Sequence, residues 1–487
     1  MRALAFDFGA SSGRAVIGKF DGERIELEEI HRFPNEPVEV CGTLYWDILK
    51  LYRELKQGLV KAEEAGGAES VGIDTWGVDF GLLDKNGILL SNPIHYRSPE
   101  TADAEEVLQK TMSLQELYSE TGIAFNKFNT LCQLNALKNA GSVAYENAEC
   151  ALFIPDLFSY FLTGKKVCEF SIASTSQLIY PGQCKYNQKI FDAYGLKNLF
   201  MPIVPAGTQI GYLRKEVMQE LHLKTNPSVI ATLGHDTASA FLSVPKESEN
   251  AAFLSSGTWS LLGMELDKPI LSEAARKAGY TNEGGLNGSI RFLRNIAGLW
   301  IIQECKRSWE KEGKNLSFAE IAAGAEKVSP CRFIIDPDSE EFYSPNDMPE
   351  KIIAFCKRSG GEVPKTVFEI ARCVYDSLAL AYRYHLSALE KLTGKKIDAL
   401  HIVGGGSNNE MLNRATASAL GVRVIAGPSE GTAFGNILCQ FISRGVLKDV
   451  GRAREIVRNS VPIRVYDPTE TDVYEQAYRR FSDVLKR

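Results

Sequence analysis

Apolar and polar positions along this chain change their period several times, and each change predicts an element. Arg2 to Phe8 is a short apolar run, Gly9 to Gly13 a small polar turn, and Arg14 to Phe20 a second apolar run. Arg24 to Phe33 alternates, so the first thirty-odd residues read as three strands. From Trp46 to Ala65 the apolar residues stand at 48, 49, 52, 55, 59 and 60, a helical spacing that Gly66-Gly67 ends. Strands are expected next at Ser70 to Asp74 and Val78 to Leu83, before an Asn86-Gly87 turn. Helical stretches dominate from about 100 to 163.

The same style begins again in the second half. Ser228 to Thr232 reads as a strand leading into GHDTASA, whose small residues open a helix. Asn250 to Ser255 and Ser260 to Leu266 form a hairpin around Ser256-Gly257-Thr258. With Gly257 set under Gly9, AAFLSSGTWSLLGMEL runs parallel in pattern to ALAFDFGASSGRAVIGKF. A long helix, Val367 to Thr393 with Gly394 as its stop, precedes the strand Ala399 to Val403 and the run Gly404-Gly405-Gly406. A helix from Asn409 to Leu420, a strand Val422 to Ala426 and a helix from Thr432 follow. The pattern is hairpin plus β/α material used twice, an internal duplication.

Composition narrows the partners. The 487 residues suffice for about three average domains or two large ones. The charge is −6, and no Lys/Arg block is long enough for a nucleic-acid or membrane footprint. No apolar run reaches the ~18 residues of a membrane helix, and Asp7 interrupts what would be a signal peptide's apolar region. The ten cysteines include no C-x-x-C pair, so a zinc knuckle or redox pair is not expected and a cytoplasmic location with reduced thiols is.

Three motifs carry candidate chemistry. Gly9 to Arg14, GASSGR, matches the G-x-S-x-G of a hydrolase nucleophile elbow. That elbow needs a helix after the serine, whereas here a β-favouring stretch follows. No Walker loop or G-x-G-x-x-G occurs in the chain. What remains is a plain tight hairpin, or one whose N–H groups and hydroxyls face phosphate oxygens with Asp7 placed for a hydrated Mg²⁺. His235-Asp236 stands where a strand gives way to a helix, the place where α/β folds set reactive groups; taken alone Asp236 reads better as a helix N-cap, but the Gly234 before it lets backbone and ligand approach closely. Gly404-Gly405-Gly406 implies positive φ or a close ligand, or simply a tight β-to-α turn.

The stretches DFGASSGR (7–14), GIDTWGVDF (72–80), GHDTASA (234–240), LSSGTWSL (254–261), TNEGG (281–285), RNIAGLWIIQE (294–304), YDSLALAY (375–382), HIVGGGSN (401–408) and VIAGP (424–428) occur in this order. Together they resemble the FGGY carbohydrate kinases of the actin-like ATPase superfamily, over nearly the whole chain, and are most similar to the branch acting on L-rhamnulose. The resemblance implies an α/β fold of two actin-like (ribonuclease H-like) lobes with a central cleft: a sugar-binding lobe over 1–245 and a nucleotide-binding lobe over 246–487. It implies ATP-dependent phosphorylation of L-rhamnulose at O1 with Mg²⁺, while the charge pattern above gives no expectation of a nucleic-acid or membrane partner. Carried over by position, Asp236 is the base, and Gly77, His235, Thr237 and Asn295 line the sugar. Ala10, Ser11, Ser12, Gly13, Arg14, Thr258, Gln303 and Gly405 hold ATP, and Asp7 faces the metal. In the second hairpin Ser255 matches Asp7, so only the first offers a carboxylate. The rival readings are a kinase for fuculose or xylulose, and an actin-like protein that uses ATP to switch a binding surface.

Overall fold

The computed structural model describes residues 1–486. The chain separates into two compact units, the first made of Met1–Ser243, Glu265–Phe292 and Gly431–Ser460, the second of Val244–Met264, Leu293–Glu430 and the segment from Val461 on. The first boundary falls between Ser243 and Val244, and two later segments return to the first unit.

The first unit is built on a six-stranded sheet, in the order Thr208–Tyr212, Ser228–Ala231, Ser70–Thr75, Arg2–Phe8, Ser12–Phe20, Ile25–Pro34. Arg2–Phe8 lies antiparallel to Ser12–Phe20 and parallel to Ser70–Thr75, which is parallel in turn to Ser228–Ala231. Thr208–Tyr212 closes that edge antiparallel. The central strands are buried along almost their whole length, which is why they read as continuous apolar runs rather than alternating ones. The helix Ile48–Glu64 packs against them, capped by the Asp47 side chain on the Lys50 N–H. A Cβ at its Gly58 would stand 2.4 Å from the Phe6 ring. Its packed face runs through Leu51 and Leu55, and Leu49 of the expected stripe is 61% exposed instead.

In the second unit Ala251–Ser256 pairs antiparallel with the strand beginning at Trp259 and parallel with Ala399–Val403. Arg423–Ala426 adds in parallel and Arg464–Tyr466 antiparallel. These are the strand order and senses of the first unit, so the duplication read from the pattern is present in the topology. The register also shows where the copies differ. Asp7 stands opposite Asp74 in the first unit, and their counterparts Ser255 and Val403 stand opposite each other in the second.

Two local departures have clear causes. The strand expected from Val78 begins at Phe80, because Val78 sits at φ +66°. Its backbone bonds to hydroxyls instead of a neighbouring strand: its N–H donates to Thr175 Oγ1 at 3.2 Å, and its carbonyl accepts from Thr130 Oγ1 at 2.6 Å. The helix Gly431–Ser443 belongs to the first unit because Gly435 packs directly on the carbonyl of Ser239, where a Cβ would come within 1.7 Å. The small residues there permit approach of backbone to backbone. Among the described residues no helix is long and apolar enough to cross a membrane.

Candidate active site

In the first unit, strand ends gather carboxylates. Asp7 and Asp74 are register partners on neighbouring parallel strands, and so project to the same face. Asp236 opens the helix Asp236–Leu242 that follows the next strand along. Asp7 is 8% exposed and takes both Arg14 Nε (2.9 Å) and Nη2 (2.7 Å) on Oδ2, which leaves Oδ1 to other partners. Asp74 is fully buried. Its Oδ2 accepts from Asn436 Nδ2 at 2.5 Å, and its Oδ1 has no hydrogen-bond partner. Burial, then the neighbouring Asp7, push the Asp74 carboxyl well above its usual range, against the pull of Asn436.

Asp236 is held by one oxygen. Oδ1 accepts from the Thr237 N–H at 2.6 Å and Thr237 Oγ1 at 3.1 Å, and lies 3.4 Å from His235 Nε2. The N-cap residue of this helix is His235, so Asp236 is not the cap, and its contacts to the next residue occupy only Oδ1. Oδ2 is left for a further partner, on a side chain that is 33% exposed. Burial raises the Asp236 carboxyl above its ordinary range, with Asp7 adding to the rise and His235 opposing it.

Backbone bridges bring the expected sugar-side residues together. Thr75 pairs in parallel with His235, and the Thr75 N–H donates to the Gly234 carbonyl at 2.9 Å. Gly77 lies against His235, so that a Cβ there would stand 3.4 Å from Nε2. Gly77, His235, Asp236 and Thr237 therefore share one corner of the first unit. Asn295, exposed on the strand Ile290–Ala297, belongs to the second unit.

The GASSGR turn is a hairpin, with the Gly9 N–H on the Ser12 carbonyl and Asn35 Nδ2 on the Gly9 carbonyl. A strand follows Ser12, so the hydrolase geometry is absent. Ala10 and Ser11 are exposed at the tip.

Thr258 and Gln303 come together in the second unit, and Gly405 lies in the glycine run whose neighbours Gly404 and Gly406 pack on Ser256. Thr258 Oγ1 donates to Gln303 Oε1 at 3.4 Å, and the Trp300 N–H donates to the Thr258 carbonyl. The glycines 404–406 divide their work. Gly404 has φ +83°, and Gly406 packs so closely that a Cβ would meet Ser256 Oγ at 1.9 Å. Only Gly405 has open space around its Cα, which is the property a ligand-facing glycine needs.

The N-terminal domain of the FGGY family of carbohydrate kinases matches residues 2–243, and its C-terminal domain matches residues 252–444. The chain belongs to the FGGY family of carbohydrate kinases. It is similar to a protein named rhamnulokinase in Bacteroides thetaiotaomicron, 42% identical over 485 residues that cover 99% of each chain. A rhamnulokinase of Enterococcus faecalis is 42% identical over 489 residues, covering 99% of this chain and 97% of the relative. In fold it matches the crystal structure of ligand-bound xylulose kinase from Lactobacillus acidophilus, with TM-score 0.82 over 100% of this chain and 98% of that one, at 14% identity. The fold is therefore the two-domain α/β architecture of FGGY sugar kinases, of the actin-like ATPase type. The protein is an ATP-dependent sugar kinase.

Buried groups behind the corner that holds Asp236 carry weaker sequence signals. Glu169 is 1% exposed and anchors the Gly234 N–H through Oε2 at 3.0 Å, fixing the loop that delivers His235 and Asp236. Glu283 and Arg291 are buried beside His235. Glu283 lies in the TNEGG motif, which marks the place, whereas nothing in the local sequence singles out Arg291.

Proposed function

We propose that the protein transfers the γ-phosphoryl group of ATP to O1 of L-rhamnulose, giving L-rhamnulose 1-phosphate and ADP, as a step in L-rhamnose degradation. The observation that carries the choice of sugar is the 42% identity, end to end, with relatives named rhamnulokinase. The xylulose kinase that shares the fold stands at only 14%.

In this reading Asp236 Oδ2 accepts the O1 proton as the new P–O bond forms, while Thr237 keeps Oδ1 fixed. Phosphoryl transfer passes through a loose transition state, so positioning and charge neutralisation account for most of the catalysis. Gly77, His235, Thr237 and Asn295 line the ketose. Ala10, Ser11, Ser12, Gly13 and Arg14, with Thr258, Gln303 and Gly405, hold ATP. The residues present fit a nucleotide-borne Mg²⁺, which ordinarily takes one or two carboxylates and completes its shell with water and phosphate. Asp7 Oδ1 is the oxygen that Arg14 leaves free for it, and the buried Asp74 Oδ1 beside it has no partner. When bound, the ion supplies charge neutralisation at the phosphates.

A coupled ADP-release assay with L-rhamnulose, L-fuculose, D-xylulose and glycerol tests the reading. The expected result is the highest kcat/KM for L-rhamnulose, with a product whose phosphorus couples to the C1 protons in NMR. A clear preference for another ketose would overturn the sugar assignment. Sugar-independent ATP hydrolysis without a sugar phosphate would overturn the transfer itself.

A further inference from the structure

The buried group behind His235 has a chemistry of its own. Arg291 is 1% exposed. Its Nε donates to the Gly284 carbonyl at 2.9 Å. Its Nη2 lies 3.0 Å from Glu283 Oε2 and 3.3 Å from His235 Nδ1. Glu283 Oε2 is itself 3.2 Å from Nδ1. The imidazole nitrogen thus faces a donor and an acceptor at nearly equal distance, and its protonation state depends on which one it answers.

Two observations decide between them. A guanidinium has only donors and keeps its proton in proteins, so a hydrogen bond from Arg291 requires a lone pair on Nδ1. The Arg291 contact has hydrogen-bond alignment, while Glu283 Oε2 is aligned with no donor. At the other side of the ring Nε2 lies 3.4 Å from Asp236 Oδ1, an acceptor. A ring protonated on Nδ1 alone would set lone pair against carboxylate there and N–H against N–H at Arg291. A ring protonated on Nε2 alone turns a donor toward Asp236 and lets Nδ1 accept from Arg291, whose Nη2, 3.0 Å from Glu283 Oε2, also offsets the lone pair that stands 3.2 Å from that oxygen. Glu283 then balances the buried charge of Arg291, which without it would be left uncompensated.

We propose that Arg291 is a positioning residue that holds His235 as the neutral Nε2–H tautomer, so that the ring presents a donor to Asp236 and to the substrate hydroxyl beside it. The catalytic consequence rests on the assignment of Asp236 above; the tautomer does not. An Nε2–H pointed at this corner steadies the carboxylate without competing for the proton that Asp236 receives.

The test is ¹⁵N NMR of the full-length enzyme labelled at histidine, with His235 identified by the signals missing from His235→Asn. The expected spectrum at neutral pH shows Nε2 protonated and Nδ1 bare. A ring protonated on Nδ1, or on both nitrogens, would overturn the proposal, and this measurement needs no variant of Arg291. The double variant Glu283→Gln/Arg291→Met removes both buried charges together, so neither is left alone. Its expected signature is a mixture of tautomers and a kcat lower by about 10- to 100-fold, the usual cost of losing an orienting partner. The KM for ATP stays unchanged, and Arg291→Lys recovers part of the loss. Wild-type kcat in the double variant would refute the positioning role. If the expected tautomer is seen but Asp236→Asn still turns over normally, the assignment of Asp236 fails and the hold of Arg291 on the ring stands.

Discussion

Asp236→Asn separates the chemistry of the site from its architecture. In the native protein Oδ1 accepts from the Thr237 N–H at 2.6 Å and Oγ1 at 3.1 Å. An asparagine keeps those bonds through its carbonyl oxygen and places an NH₂ where Oδ2 stood. The amide nitrogen donates only, so the substrate hydroxyl loses the group that takes its proton. General-base catalysis contributes about 10²- to 10⁴-fold, or about 2.7–5.4 kcal/mol of activation free energy. Stability moves the other way. Burial raises the Asp236 carboxyl, so the folded state binds this proton more tightly than the unfolded one. The ionised carboxylate therefore costs folding free energy at pH 8, and asparagine carries no such cost. The expected outcome is a melting temperature at pH 8 equal to or above wild type, with ADP affinity by calorimetry unchanged and turnover in the coupled assay down by the stated factor. Turnover within about tenfold of wild type would refute the base assignment, being less than such a base contributes. A large loss of melting temperature would refute the account of Asp236 as a destabilising charge.

The glycine run and a buried carboxylate give two more tests. Gly406→Ala places a Cβ 1.9 Å from Ser256 Oγ, and is expected to destabilise the protein by about 1–3 kcal/mol in urea unfolding. Gly405→Ala meets nothing within 4 Å; it should stay within about 0.5 kcal/mol of wild type while raising the KM for ATP. Equal destabilisation by the two would contradict the division of roles. Asp79 is buried, accepts from Trp46 Nε1, Trp76 Nε1 and Gln133 Nε2, and is pushed up by burial to about 7 against those donors. Its folded value exceeds the ordinary value of about 4, so its contribution to stability falls as pH rises from about 4 to about 7 and is flat above. Urea unfolding of wild type against Asp79→Asn at several pH values should show the wild type losing ground through that window. A pH-independent difference between them would sink the prediction.

The sequence by itself determined what repeats locally. Strand and helix periods, and the glycines that stop them, are properties of a few consecutive residues. The helix Val367–Thr393 accordingly runs between the expected residues, with Gly394 at φ +69° as its stop. The hairpin-plus-β/α pattern used twice likewise becomes one strand order with the same senses in both units. Asp7 and Asp236 stood out because each sits at the junction of two periods. Tertiary structure alone decided what surrounds them. Asn436 reaches Asp74 across 362 residues, and Arg291 reaches His235 across 56. Such contacts depend on strand register and on which helix returns to which sheet, and no local period encodes either. Val78 shows the converse, since its apolar character fits a strand while hydroxyls on Thr130 and Thr175 hold its backbone in a turn. The carboxylates can be named from the chain, but their ionisation follows from burial and neighbours that only the assembled fold supplies.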